Sequence, residues 1–259
     1  MPLPPARLDR FARHIVLPEL GGAGQVALSE AHVAIVGLGG IGSPALQYLA
    51  AAGVGTLTLI DRDVVDASNL QRQTIYREAD IGQTKAELAA EWVRRFDRSL
   101  KVRAHVAAIG GTMGGDRAAR YLEGADLVLD GCDNFATRLL VSDTCVRLGI
   151  PLTSAAIGRF QGQVANFAGH LTGQACYRCF VGDAFDADDC DTCAADGVLG
   201  AMAGMVGAFA AMQAIRVLLA GKAALGDPQW GQLHLFEGLV PSLRTMRIAK
   251  DPECQGCSG

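Results

Sequence analysis

The sequence has no run of basic residues. Its 23 Lys and Arg face 27 Asp and Glu, for a net charge of −4, and they are spread along the chain. That disfavours a nucleic-acid-binding surface, and no nucleic-acid partner is expected. Charge of either sign is scarce, at 19% against 50% hydrophobic residues, so a core can be buried and long disorder is excluded. The opening stretch MPLPPARLDRFARH lacks an apolar core segment of the secretory kind, so a cytoplasmic setting is expected. No internal repeat and no long linker interrupt the 259 residues, which read as one domain. Its parts are a helical arm over 1–30, a first half over 31–150 and a second half over 151–259. Gly197–Ile215 carries no charge, but it consists mostly of Gly, Ala and Met, and Gln213 and Arg216 interrupt its continuation. It reads as a buried helix rather than a membrane span.

Cysteine is what the chain has in excess, with eight in all. In a reducing compartment, clustered thiols bind metal or react more often than they form disulfides. Three C-x-x-C pairs stand out: Cys176/Cys179, Cys190/Cys193 and Cys254/Cys257. Two pairs make a tetrahedral thiolate zinc site. Loop closure alone favours joining the first two pairs, but by a small margin, since its cost grows by only ~0.6 kcal/mol per doubling of loop length. Cys132 and Cys145 read as buried and unreactive.

Apolar, β-branched runs predict strands at His32–Val36, Thr56–Ile60, Val102–Ala107 and Leu127–Asp130. Helical patterns fall between them, at Ile41–Ala52, Thr84–Phe96, Arg117–Leu122 and Ala136–Leu148. The alternation predicts a doubly wound, Rossmann-like α/β fold with a mostly parallel sheet. After Pro151 the texture changes. Gln163–Phe167, Gln232–Phe236 and Leu243–Ile248 read as an antiparallel C-terminal extension, with a long small-residue helix running to Leu219.

VAIVGLGGIG, Val33–Gly42, places Gly37, Gly39 and Gly42 in G-x-G-x-x-G after a strand. Such a loop turns tightly, lets a phosphate approach the backbone and aims a helix N-terminus at it. A glycine-rich turn without a ligand is the plainer alternative. Asp61 lies where a dehydrogenase would hold the ribose, but DRDVVDASNLQRQTIY offers more than one acid. Asp61, Asp63, Asp66, Asn69, Arg72 and then Lys85 suit a triphosphate with magnesium better than a nicotinamide ring, unless the segment is only a solvated loop. LVLDGCDN ends a strand with Asp130, Asp133 and Asn134, where open parallel sheets bind ligands. Asp133 is the natural magnesium ligand.

At these residues the chain resembles the MoeB/ThiF family, adenylyltransferases related to ubiquitin-activating enzymes. GLGGIG, SNLQRQ (Ser68–Gln73), Lys85, CDN (Cys132–Asn134) and CYRC (Cys176–Cys179) carry the resemblance, in the family's order. It implies that ATP, not NAD, fills the loop of Gly37, Gly39, Gly40 and Gly42. It also implies adenylation of the C-terminal glycine of a ubiquitin-like sulfur carrier ending in Gly-Gly. By position, Asp61 would hold the ribose, Asn69, Arg72 and Lys85 the phosphates, and Asp133 the magnesium, with Asn134 also at the nucleotide. Arg13, in RFARHIVL, matches an arginine that reaches the neighbouring subunit's phosphates, so a homodimer is implied. Arg159, in SAAIGRFQGQ, falls where the carrier's tail approaches, and the second half becomes the carrier-binding half. The molybdopterin branch is favoured by that stretch, with the thiamine branch as the alternative. A nucleotide-dependent binding protein without catalysis is the alternative of another class.

The resemblance also pairs Cys176 and Cys179 with Cys254 and Cys257 around a structural zinc, against the preference from loop length. Cys193 matches a loop cysteine used in sulfur transfer, and an incidental thiol is the plain alternative. Asp186, Asp188, Asp189, Asp191 and Asp196 would raise its pKa and that of Cys190. Persulfide sulfur is expected from a separate donor protein.

Overall fold

The computed structural model describes residues 3–110, 115–182 and 197–258. Three short N-terminal helices come first: α1 (Pro5–Arg10), α2 (Ala12–Ile15) and α3 (Gly21–Glu30). Then β1 (His32–Val36), α4 (Gly42–Ala52), β2 (Thr56–Ile60), α5 (Lys85–Phe96), β3 (Lys101–His105), α6 (Gly115–Leu122), β4 (Leu127–Asp130) and α7 (Phe135–Leu148) alternate as the sequence pattern predicts. Beyond them lie β5 (Leu152–Gly158), β6 (Gln161–Phe167), α8 (Tyr177–Val181), α9 (Gly200–Leu218), β7 (Gln232–Glu237) and β8 (Ser242–Arg247).

The eight strands form one sheet in the order β3-β2-β1-β4-β5-β6-β7-β8. Pairing is parallel from β3 through β5 and antiparallel from β5 through β8. The mostly parallel sheet with an antiparallel extension is therefore present as expected. β5 was not foreseen as a strand. LTSAAIG has few β-branched residues, and its extended form comes from being clamped between β4 and β6 rather than from its own propensity.

Both faces of the sheet are buried at its central strands, and the alternation of side chains shows how. Val33 and Ile35 of β1 and Leu127 and Leu129 of β4 join a core covered by α3, α4, α5 and α9. Ala34, Val36 and Val128 point the other way, into a core with Ala118 and Leu122 of α6 and Val141 and Cys145 of α7. A strand packed on both sides must be apolar throughout, which is why HVAIV and LVLD show no polar face.

Helix α9 is long and apolar enough to cross a membrane by length and composition, with a mean hydropathy of 1.5. In this fold it packs against α4, β5 and β6. Its small residues permit that close packing. A Cβ on Gly207 would lie 2.4 Å from Pro44 Cγ and 2.6 Å from the Ile41 carbonyl oxygen, whereas one on Gly204 would meet nothing within 4 Å. The two glycines should therefore respond oppositely to the same change. Gly204→Ala should raise stability by ~0.5–1 kcal/mol, the ordinary gain of alanine in a helix. Gly207→Ala should lower it by ~1–3 kcal/mol through overpacking. Urea unfolding of the two variants checks this, and shifts of the same sign would refute the contact.

Candidate functional site

Strand β1 ends at Val36, and the chain must turn at once to begin α4. Gly37 takes φ +84°, a left-handed conformation open to glycine at little cost. Gly42 cannot carry a side chain at all, because a Cβ there would sit 1.8 Å from the Gly37 carbonyl oxygen. Tyr76 is buried behind the loop, and its hydroxyl donates to the Leu38 carbonyl at 3.1 Å. Asp61, at the end of β2, completes the frame. Its two oxygens accept the Leu38 and Asp63 amides, each at 2.7 Å. Burial raises the Asp61 pKa, while those two amides and Lys85 pull against the rise.

The loop opens onto a cleft of about 740 Å³ outside the carboxyl ends of β1, β2 and β4. Gly37, Gly39, Gly40, Asp61, Asn69, Arg72, Lys85, Asp133 and Asn134 line it together. Residues separated by most of the first half of the chain thus converge on one cavity. Gly42 does not line it but makes the close packing beneath it. Lys85 is 5% exposed, which is unusual for lysine. The Asp63 carbonyl accepts its backbone amide at 3.0 Å, and its Nζ lies 3.6 Å from the Asp63 carboxylate. Arg72 donates to the Ser68 carbonyl at 2.9 Å and is half-buried at the rim. Asn134 caps α7 by accepting the Thr137 amide at 3.0 Å, which fixes the start of the helix just beyond the exposed Asp133.

Three sequence-predicted residues stand elsewhere. Arg13 is exposed on α2 and does not line this chain's own cleft. Arg159 turns the β5–β6 hairpin with φ +47°. Its amide donates to the Gly197 carbonyl at 2.9 Å and its carbonyl accepts the Leu199 amide at 3.1 Å, beside Val198 in the cleft wall. Asp130 is fully buried and faces inward, so the strand end delivers Asp133 and Asn134 but not Asp130. Cys190 and Cys193 lie outside the described residues.

Two residues of the cleft wall were missed. Gln73 is buried, and its amide oxygen has no hydrogen-bond partner among the described residues, a site open to a ligand donor. Arg138 is 5% exposed, and burial would lower its pKa, but Asp130, Tyr177 and Cys132 together more than reverse that. The sequence signal for Arg138 was an arginine on the same helix face as Val141 and Cys145.

A second cluster lies away from the cleft. Cys176, Cys179, Cys254 and Cys257 bring their sulfurs within 4.8 Å of one another. The closest pairs are 3.5, 3.6 and 3.9 Å apart. A tetrahedral zinc with ~2.3 Å bonds would set its sulfurs ~3.8 Å apart, so the donor set fits a metal. Burial pushes the Cys176 thiol up. Burial also opposes ionisation of Cys257, yet hydrogen bonds from the neighbouring sulfurs and Lys250 outweigh it and lower its pKa. Among the described residues the geometry thus joins Cys176 and Cys179 to the distant pair, Cys254 and Cys257.

The ThiF family model matches residues 11–256. The chain is 41% identical over 249 residues to "Adenylyltransferase and sulfurtransferase MOCS3" of Mus musculus, covering 96% of this chain and 52% of that protein. It therefore spans about half the length of that relative. It is 38% identical over 253 residues to "Sulfur carrier protein adenylyltransferase" of Thermus thermophilus, covering 96% of this chain and 90% of that one. Among solved structures, Escherichia coli MccB superposes with a TM-score of 0.80 at 20% identity, covering 97% of this chain and 73% of that one, a likeness of fold.

The cysteine geometry predicts one zinc per chain. Cys254→Ser should lose the metal and stability together, since binding of a structural metal is folding free energy. Cys190→Ser should keep the metal. Elemental analysis of the purified variants decides it, and the reverse pattern would show that the nearer pairs form the site.

Proposed function

The chain belongs to the ThiF family, and on that premise we propose that it adenylates the C-terminal glycine of a ubiquitin-like sulfur carrier ending in Gly-Gly. The observation that carries this reading is the cleft itself. A glycine loop and helix start, a buried Lys85, a rim Arg72 and an unencumbered Asp133 surround one cavity of about 740 Å³. A nicotinamide ring has no use for those charges. A triphosphate does.

ATP would lie along the glycine loop, with the ribose at Asp61 and the phosphates at Asn69, Arg72 and Lys85. The Asp61 oxygens already hold two amides, so its place is fixed before a ligand arrives. A carrier carboxylate oxygen attacks the α-phosphorus, forming the acyl–phosphate bond. The bond from that phosphorus to the bridging oxygen breaks, and pyrophosphate departs with its electron pair. Lys85 and Arg72 stabilise the charge that accumulates on the phosphoryl oxygens, and they act from a partly desolvated position where such charges interact strongly. Asp133 would hold magnesium, which offsets the negative charge of the phosphates.

The homologue named as a sulfur carrier protein adenylyltransferase supports the same reaction class. The molybdopterin-type carrier remains our first choice, with a thiamine-type carrier as the alternative. We further propose a cytoplasmic homodimer in which Arg13 completes the partner's site, and a separate persulfide protein as sulfur donor. The zinc would be structural, because four thiolates leave no position open for substrate.

Carrier-dependent exchange of labelled pyrophosphate into ATP is the direct test. A binding protein without catalysis gives none, and a dehydrogenase would bind NAD instead. Asp133→Asn should lower exchange by at least ~100-fold with the fold intact. Wild-type exchange in this variant at saturating magnesium would remove Asp133 from the site.

The exposure of Arg13 outside its own cleft generates a separate test. Arg13→Ala chains mixed with Asp133→Asn chains should recover activity in heterodimers, because one complete site is rebuilt. No recovery after verified subunit exchange would assign Arg13 to its own subunit or to no site.

A further inference from the structure

Helices α1 and α2 are too short to hold themselves together. At six and four residues they are far below the length at which a helix persists alone in water. Two anchors on the body fix their place instead. Phe11, between the two helices, is 2% exposed and packs against Gly53, just past the end of α4. A Cβ on Gly53 would lie 2.4 Å from Phe11 Cζ. Beside it, His14 Nδ1 donates to the Gln25 side-chain carbonyl at 3.0 Å, and Gln25 Nε2 donates to the Ala52 carbonyl at 2.8 Å.

The second anchor is Asp97, just past the end of α5 and 8% exposed. Ser99 holds one of its oxygens, through its amide at 3.0 Å and its hydroxyl at 2.6 Å. The other oxygen faces the arm. Arg7 Nη1 donates to it, and Arg10 Nε lies 3.4 Å from it. Each arginine also lies over an aromatic ring, Arg7 at 4.6 Å from the Phe11 centroid and Arg10 at 4.9 Å from that of Phe96. One carboxylate thus engages two of the arm's three arginines. The third, Arg13, is exposed and has no hydrogen bond or ion pair from its side chain among the described residues.

We propose that Asp97 is a positioning residue, which holds the arm so that Arg13 is presented to the cleft of a second copy of this chain. Its own cleft is out of reach. Helices α4 and α5 begin beside the cleft, at Gly42 and Lys85, and the arm sits at their far ends. About 16–18 Å of helix lies between, more than an arginine side chain spans. The proposal rests on the reading of Arg13 as a residue of the partner's site, and adds the part that aims it. Asp97 touches no reacting atom. One anchor at Phe11 would leave the arm free to swing, whereas a second on another helix fixes its direction. A small misplacement of a charged group is costly in rate.

Asp97→Asn is the sharpest probe, because it removes the charge and keeps the oxygen that Ser99 holds. The full-length variant should stay dimeric and folded. The amides of His14, Ile15 and Val16, which donate to the Phe11 and Ala12 carbonyls, should exchange with deuterium about tenfold faster, with those of β1 and β4 unchanged. Carrier-dependent pyrophosphate exchange should show kcat reduced about tenfold. Arg10→Ala loosens the clamp from its exposed side, leaves Arg7 on Asp97, and should show the same pattern at smaller amplitude. Mixing then locates the defect. Asp97→Asn chains mixed with Asp133→Asn chains should exceed either parent, because an intact arm meets an intact cleft. Mixed with Arg13→Ala chains they should not, because every arm is then defective. A gain in that second mixture would place the Asp97 defect in its own cleft, and the proposal fails. Wild-type exchange of the α2 amides would also overturn it, since the clamp then does not hold the arm. Dissociation into monomers would do the same, since Asp97 then holds the dimer rather than aiming Arg13. If Arg13→Ala and Asp133→Asn chains fail to complement each other, the partner reading falls instead, and the amide measurement still decides whether Asp97 holds the arm.

Discussion

Three backbones meet without side chains at the centre of this molecule. A Cβ on Gly42 would strike the Gly37 carbonyl oxygen at 1.8 Å, one on Gly37 would come within 3.1 Å of Gly131, and one on Gly131 within 3.2 Å of the Gly42 nitrogen. The end of β1, the start of α4 and the end of β4 can close up only because all three positions are bare. Everything in the cleft is measured from that contact. It puts the helix N-terminus beside the loop that carries Asp133, and it brings α4 close enough for Gly207 of α9 to nest against Pro44. The glycines are thus a packing constraint first, and an anion site as its consequence.

The parallel half was legible because its central strands are buried on both faces. HVAIV and LVLD are apolar apart from one end residue each, TLTLI alternates β-branched Thr with Leu, and the helices between them keep a regular spacing. The predicted bounds of β1, β2 and β4 match the structure, and the four helices differ only at their first residues. Where an element owes its form to its neighbours, the sequence was mute. β5 is extended because β4 and β6 flank it, and its alanines and glycine carry no such preference of their own.

The cleft was legible residue by residue but not as a frame. Charged groups such as Lys85 and Asp133 announce themselves after strands and at helix starts. The groups that hold them do not, because Tyr76, Gln73 and Arg138 act through contacts far apart in the chain. The cysteines taught the same lesson in reverse. Loop length favoured the nearer pairs by a margin too small to govern, and the fold carried the distant pair together.

That distant pairing turns part of the chain into a ring. A metal held by Cys176, Cys179, Cys254 and Cys257 would close a circuit containing α9, β7 and β8, so these elements would be topologically enclosed as well as packed. A ring has no free end from which to fray. Its members must come loose together or stay, and α9 lies across α4, the helix that begins at the three glycines. Opening the ring would restore a linear chain with ordinary fraying from its C-terminal side. The sulfur cluster would therefore set the cooperativity of the second half, making one unfolding unit out of elements that their own hydrogen bonds would leave separable.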